Sequence, residues 1–433
     1  MEERRYHSVR LDKSQCRGCT NCLKHCPTEA IRVRGGRAHI IDERCIDCGE
    51  CIRICEYHAK IAVTDPLSDL SRFKYTIALP APSLYSQFKH LKNRAIILEA
   101  LKKIGFTDVF EVARGADIAT RAIRDRLEKP DAPRPLISSA CPTVVRLIQV
   151  RFPSLIDNIV DVRQPMEIAG MVARDEFCRK NGCVPEDVGC FFITPCPAKM
   201  TAIHNPIGHE KSALDGAISI LDIYGKLRAY VNEQITDMPD NETTQLGVGW
   251  GTSSGEAAAV CPGNSLCVDG IENVTRVLEE IENDKLSDLV YFEGNACMGG
   301  CVGGPLMFEN NYVAKNSLRQ LVAAMPKSDP AEHVSRGLMQ RYPLHTDQEI
   351  EPNSVMRLDD NIAVAIEKLD RMNEILDRLP GYDCGSCGSP TCRTFAEDIV
   401  RGYCGELDCI HILKDRIKTM AQQMVELAQT KRE

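Results

Sequence analysis

Cys297 and Cys301 stand four residues apart in Glu293-Gly-Asn-Ala-Cys-Met-Gly-Gly-Cys-Val-Gly-Gly-Pro305, among five glycines and with no Cys-x2-Cys partner nearby. A single Cys-x3-Cys cannot fill four metal sites. Two lone cysteines in loop-like settings offer the rest: Cys141 in Ser138-Ser-Ala-Cys-Pro142, and Cys196 in Thr194-Pro-Cys-Pro-Ala-Lys199. If the four converge, three distant loops build one centre inside a large domain. An active site is assembled that way, whereas an electron-relay cluster draws its ligands from a short stretch.

The other motif cysteines are local. Cys16-x2-Cys19-x2-Cys22-x3-Cys26-Pro27 recurs as Cys45-x2-Cys48-x2-Cys51-x3-Cys55. This is the bacterial ferredoxin run, in which the fourth cysteine of each copy ligates the other cluster. Cys16, Cys19, Cys22 and Cys55 are therefore expected to hold one [4Fe-4S] cluster, and Cys26, Cys45, Cys48 and Cys51 a second. Zinc is the competing reading, but zinc sites use paired Cys-x2-Cys units instead of this run. Glu56 stands where the second copy could have carried proline, which alters the turn after Cys55 and leaves ligation alone.

Elements must carry these loops. Apolar runs at Tyr75–Leu79, Leu136–Ser138 and Gly189–Thr194 end in proline or small residues and lead into helical patterns, as in βαβ units. Ligands bind beyond the carboxyl ends of such strands. The expected fold is an α/β domain with parallel sheets in two lobes over residues 66–345. A ferredoxin-like α+β domain (1–65) precedes it. A linker helix with a small helical cysteine domain (346–410) and a C-terminal helix (411–433) follow. Residues 326–360 read as an irregular linker, a helix is expected over 361–378, and Gly247-Val-Gly-Trp-Gly-Thr reads as a strand-to-helix turn. Leu413, Ile417, Met420, Met424 and Leu427 alternate four and three apart, a short heptad seam that suits a homodimer or packing on the chain's own domain.

Composition narrows the class. The 433 residues carry a net charge of −8 and one Trp, which argues against nucleic acid. No apolar run is long enough to span a membrane, and Met1-Glu-Glu-Arg-Arg5 has no apolar leader segment. The 22 cysteines in repeated metal-type spacing point to a reducing, cytoplasmic setting instead of disulfides. Cys178, Cys183, Cys190, Cys261 and Cys267 read as structural thiols. His204 and His209 read as surface or core residues more than as metal or proton groups.

The segments around Cys141, Cys196 and Cys297/Cys301 resemble, in order, the three signature loops of the [FeFe]-hydrogenases, and the N-terminal repeat is similar to theirs; the resemblance covers about residues 10–325. It implies an H-cluster: a [4Fe-4S] cube joined through one cysteine to a two-iron centre with CO, CN⁻ and a bridging dithiolate. Cys141, Cys196, Cys297 and Cys301 would hold the cube, with Cys301 bridging and Lys199 contacting a cyanide. Gly299, Gly300, Gly303 and Gly304 would bring backbone, and N–H groups, close to the cluster.

The departures matter as much. Ala140 stands where the family's fast enzymes carry a proton-donating cysteine, and a methyl cannot relay a proton. Thr194 and Asn295 replace methionines, and Ala202 replaces a glutamate of the proton path. Glu167, Glu293 or Cys190 could serve another route. The losses look like those of the sensory-type branch. Asp383-Cys-Gly-Ser-Cys-Gly-Ser-Pro-Thr-Cys392 resembles the small [4Fe-4S] domain of corrinoid iron–sulfur proteins, with Cys384, Cys387, Cys392 and Cys409 as ligands and Cys404 a rival for the fourth place. A helix over 393–401 would carry the chain to the last ligand. The resemblance thus implies a hydrogen-sensing hydrogenase of low turnover. It would interconvert H2 with protons and electrons and relay charge through three accessory [4Fe-4S] clusters to a ferredoxin-like redox partner or a signalling module. The alternatives are a catalytic hydrogenase with another proton path, or an iron–sulfur protein lacking the two-iron centre.

Overall fold

The structure, a computed structural model, describes residues 6–89, 91, 93–231 and 243–430. The charged start Met1-Glu-Glu-Arg-Arg5 and the last three residues of the expected C-terminal helix lie outside them. The chain forms two compact units: one of Met1–Val9, Ile46–Gly49 and Ala62–Asn353, the other of Arg10–Cys45, Glu50–Ile61 and Ser354–Glu433.

The larger unit is built on two parallel sheets. The first orders its strands Asp108–Val109, Tyr75–Pro80, Val188–Thr194 and Gly216–Ser219, and the second Ser265–Asp269, Tyr291–Asn295 and Leu136–Ile137. Val188–Thr194 is buried at every position, as expected of a parallel strand covered on both faces. Alternation assigns its side chains to two cores. Phe191 and Ile193 join Ala78, Leu84, Leu101 and Leu318 on one side. Phe192 joins Ile77, Leu79, Met166 and Ala217 on the other. Each fully buried Phe contributes roughly 2–3 kcal/mol of transfer free energy. Pro165–Asn181 covers the second face, and Val112–Leu127 packs on that helix.

Two expectations for this unit need correction. Residues 326–360 are not simply an irregular linker, because Pro330–His333 and Arg336–Arg341 are helical and Val334 and Leu344 are buried in a third core with Ile118, Ile123 and Tyr291. Gly247 and Gly249 lie in a helix, Gln245–Gly249, whose start is capped by the Thr244 hydroxyl. That cap and the close approach of Gly247 to Ala113 and Asp117 explain why a glycine-rich stretch is helical there.

The second unit joins regions read above as separate domains. Its ferredoxin part has a hairpin, Ile31–Arg34 with Arg37–Ile40, and short helices Asn21–Lys24 and Glu50–Arg53. Its C-terminal part packs Ile362–Arg378 on Cys392–Val400 around Met372, Ile375, Phe395 and Ala396. Buried charge joins the two parts. Asp398 accepts from Arg32 Nε at 2.6 Å, Arg34 at 3.0 Å and the Ser389 hydroxyl at 2.6 Å. Glu397 pairs with Arg44 and Arg401. Val33 N–H donates to the Gly388 carbonyl at 2.9 Å. Gly388 has φ +82°, and a Cβ there would fall 1.8 Å from the Val33 oxygen, so only glycine fits this contact. The helix Ile410–Thr430 leaves Leu413, Ile417, Met420, Met424 and Leu427 exposed.

Candidate metal centre

Each of the three loops leaves the carboxyl end of a parallel strand. Cys141 follows Leu136–Ile137, Cys196 follows Val188–Thr194, and Cys297 and Cys301 follow Tyr291–Asn295. Cys141 and Cys196 each occupy the N-cap of a helix whose first residue is proline, Pro142–Arg151 and Pro197–His204. Proline there sets φ without losing a needed N–H. It also fixes where the thiol leaves the backbone. Gly300 has φ +85° and a Cβ would lie 2.4 Å from Ser253 N, while a Cβ on Gly304 would lie 2.3 Å from the Pro195 carbonyl. Gly304 lets the third loop close against the second, and Gly300 lets it pass Thr252 and Ser253.

The structure brings the four thiols together. Cys141, Cys196, Cys297 and Cys301 line one cavity, with Ala140, Lys199, Glu256, Asn295, Gly300 and Gly304 also in its wall. Pro82, Val112, Phe192 and Trp250 supply apolar lining. Burial pushes the Cys141 and Cys196 thiols up, and neighbouring thiols add to this. Lys199 Nζ lies 3.9 Å from Cys301 Sγ and 5.6 Å from the Phe192 ring centre. Burial alone would lower its pKa, but Cys301, Cys196, Cys141 and Glu256 outweigh that and hold it raised. Four partly buried soft donors around one space, with a cation at the rim and little water-accessible polar wall, fit an anionic iron–sulfur group.

The remaining expected residues divide. Asn295 turns its amide to Glu293 Oε1 at 2.6 Å. Thr194 is fully buried outside the wall, and its hydroxyl accepts from Cys196 N–H at 3.1 Å and donates to the Cys196 carbonyl at 3.0 Å. Ala202 packs in the core with Met166 and Phe192. Gly303 is also outside the wall. The N–H groups of Gly300, Gly303 and Gly304 donate to the carbonyls of Cys297, Gly300 and Cys301, each at 3.0 Å, so they shape the loop instead of pointing at sulfur as expected. Glu167 is bound to Ser212 and Ala213, and Cys190 is a core thiol pushed up to about 12 by burial; neither reaches the cavity wall.

One site residue escaped sequence reasoning. Among the described lining residues, Glu256 is the one carboxylate. It accepts from Tyr291 Oη at 2.6 Å and Ser138 Oγ at 2.8 Å, and burial, then Glu293, push it up to about 8. Its only sequence signal was a lone acid in Gly255-Glu-Ala-Ala-Ala-Val260. Glu293 is also raised by burial; it accepts from the Ser254 and Ala257 amides.

In the second unit, Cys16, Cys19, Cys22 and Cys55 line one pocket. Amides of Ala38, Ala30 and Ala59 donate to the sulfurs of Cys16, Cys26 and Cys55 at 3.3, 3.2 and 3.3 Å. Such bonds stabilise a thiolate. Gly49, the neighbour of Cys48, packs within the larger unit where a Cβ would meet Pro305 and Pro197, both on the cavity loops. At the C-terminus, Cys387 feels the charges of Cys409 and Cys384. Burial raises Cys404, which like Cys387 lies near Arg34 and also near Asp398 and Asp408. Ser386 first, then His411, whose Nε2 is 3.8 Å from the sulfur, lower Cys384 to about 7.

Residues 74–265 match the family model of the iron only hydrogenase large subunit, C-terminal domain, residues 8–56 a 4Fe-4S dicluster domain, and residues 379–411 an Fe-S cluster family. Over residues 74–265 the chain is thus similar to the iron-only hydrogenases. It is 24% identical over 376 residues to iron hydrogenase 1 of Clostridium pasteurianum, covering 70% of this chain and 65% of that one. It is 28% identical over 212 residues to the periplasmic [Fe] hydrogenase large subunit of Nitratidesulfovibrio vulgaris, covering 45% and 50%. The chain thus spans half to about two thirds of these relatives. The fold matches the solved [FeFe]-hydrogenase HydA1 from Chlamydomonas reinhardtii with TM-score 0.53 at 16% identity, over 67% of this chain and 97% of that one. Among the described residues, no helix is long and apolar enough to cross a membrane.

Proposed function

We propose that this is a slow, hydrogen-responsive [FeFe]-hydrogenase of the sensory type, working in a reducing, cytoplasmic setting. The observation that carries this reading is the composition of one cavity wall. It keeps four thiols and Lys199, yet presents the methyl of Ala140 where a proton donor would be needed. Cys141, Cys196, Cys297 and Cys301 would hold the cube, with Cys301 shared with the two-iron centre and Lys199 beside it. The group, when bound, supplies the chemistry that splits H2 into protons and electrons. The chain's own residues exclude water through Pro82, Val112, Phe192 and Trp250, and hold one exchangeable proton on Glu256 between Ser138 and Tyr291.

Electrons would leave through the ferredoxin clusters. The Cys26/Cys45/Cys48/Cys51 cluster would be one relay. The Cys16/Cys19/Cys22/Cys55 cluster would follow. The third, on Cys384, Cys387, Cys392 and Cys409, would be last: a Cβ on Gly385 would contact Leu23 and Lys24, which directly follow Cys22. The exposed heptad stripe of Ile410–Thr430 suits pairing with a second copy. Infrared spectroscopy in the CO/CN⁻ region, after maturation with a two-iron precursor, tests the centre. Bands are expected, and their absence sinks the hydrogenase reading in favour of a plain iron–sulfur protein. Turnover as rapid as that of fast family members would defeat the sensory reading alone.

A further inference from the structure

The two ferredoxin copies share their ligand spacing and an alanine four residues after the fourth cysteine, and differ at the residue that follows it. In each copy the residue four beyond that cysteine donates its amide to the sulfur, Ala30 to Cys26 at 3.2 Å and Ala59 to Cys55 at 3.3 Å. The next position is Ile31 in the first copy and Lys60 in the second. Both are buried, at 3% and 2% exposure. Lys60 Nζ finds no hydrogen-bond partner among the described residues. Lys60 lines the pocket of Cys16, Cys19, Cys22 and Cys55.

A buried ammonium without a partner is costly and calls for an anion. A cube bound by four thiolates is one, and it gains a further negative charge on reduction. Net charge near a cluster is one of the protein's means of setting its potential. A fixed cation stabilises the reduced form more than the oxidised form, so the potential rises. The first copy, with isoleucine at the same place, has no such cation at that position.

We propose that Lys60 is the countercation of the cluster held by Cys16, Cys19, Cys22 and Cys55, a tuning residue that lifts its reduction potential above that of its sister and makes it the resting place of an electron entering the pair. One electron moves from the sister cluster, which is oxidised, to this one, which is reduced; no proton is transferred. The inference rests on the reading that this pocket holds a [4Fe-4S] cluster. The position suits the role, because Leu23 and Lys24, next to Cys22, lie against Gly385 beside Cys384. The electron would come to rest where the C-terminal cluster can receive it.

Potentiometric titration followed by electron paramagnetic resonance, on the full chain with accessory clusters reconstituted, tests this. The signal of this cluster is identified by its loss, with its iron, in Cys19→Ala. In Lys60→Ile its reduced-to-oxidised ratio at fixed potential should fall at least tenfold, about 59 mV for a one-electron couple, while Lys60→Arg stays within about threefold. An unshifted potential in Lys60→Ile with full iron content overturns the proposal. If Lys60→Ile does not hold the cluster, Lys60→Gln is read in its place. Loss of this cluster in both neutral variants with retention in Lys60→Arg also supports a countercharge. Loss in all three overturns it, since shape would then be at stake. A wild-type chain whose iron content is unchanged by Cys19→Ala sinks the cluster reading and this inference with it.

Discussion

Asp398→Ala removes the acceptor on which the ferredoxin and C-terminal parts of the second unit converge. The Asp398 side chain is 2% exposed and the Arg32 side chain 8%, so this pair is buried and little screened by water. Deleting one partner leaves the Arg32 guanidinium without its carboxylate, a change that costs about 3–5 kcal/mol in buried pairs. Arg34, at 30% exposure, loses less, since solvent can take over its hydrogen bond. Ser389, fully buried, loses the acceptor of its hydroxyl but keeps the hydrogen bond it accepts from Arg34 at 2.9 Å. We therefore expect about 4 kcal/mol, equivalent to about a thousandfold loss of protection at roughly 1.4 kcal/mol per tenfold. Hydrogen exchange on the cluster-loaded chain reads this at Val33, whose amide donates to Gly388, and over Cys392–Val400. Asp398→Asn, which keeps an acceptor for Ser389, should lose less. A loss below about fivefold in Asp398→Ala would refute the reasoning, because it would place the pair among surface ion pairs worth about 1 kcal/mol or less.

Four further outcomes are expected. Glu256 is raised from 4.5 to about 8, so the folded state prefers its protonated form. The stability this group contributes is present below about 4.5 and lost as pH rises through about 8, so Glu256→Gln should gain on the iron-free wild type across that window, by up to about 4 kcal/mol, read from urea midpoints. Ala140→Cys should raise H2 turnover by about a hundredfold if a missing relay limits the rate; an unchanged rate and solvent isotope effect would count against that limit. Truncation after Gly405, like Cys409→Ser, should remove the iron of one cluster, whereas Cys404→Ser should retain it, by iron analysis. Removal of residues 411–433 should convert a dimer to a monomer in sedimentation, and a monomeric full chain would rule out the helix as its own partner.

The cluster loops were legible because ligand chemistry restricts residue type and strand ends restrict position. Cys141, Cys196, Cys297 and Cys301 could be grouped from loop character alone, and they line one cavity. The strand boundaries near Tyr75, Leu136 and Gly189 were readable from unbroken apolar runs. Glu256 was not, since its environment comes from Ser138 and Tyr291, far away in sequence. Nor was the joining of the two iron–sulfur parts, which depends on Arg32, Arg34 and Arg44 meeting Asp398 and Glu397. Charges on short elements look like solvated surface until their partners are known. The stretch near Val334 and Leu344 was misjudged as linker because a few scattered apolar residues carry its packing.

Arg32 and Asp398 are 366 residues apart. Along the chain, Ala62–Asn353 of the larger unit separates the two parts of the smaller one. At about 5–20 residues per second of synthesis, Arg32 leaves the ribosome roughly 20–70 s before its partner exists. Domains often mature in the order they emerge, but here the first iron–sulfur segment made is among the last to be finished. A chain that stops early exposes arginines built for burial, which marks it as incomplete to any factor that senses unpaired charge and open cores.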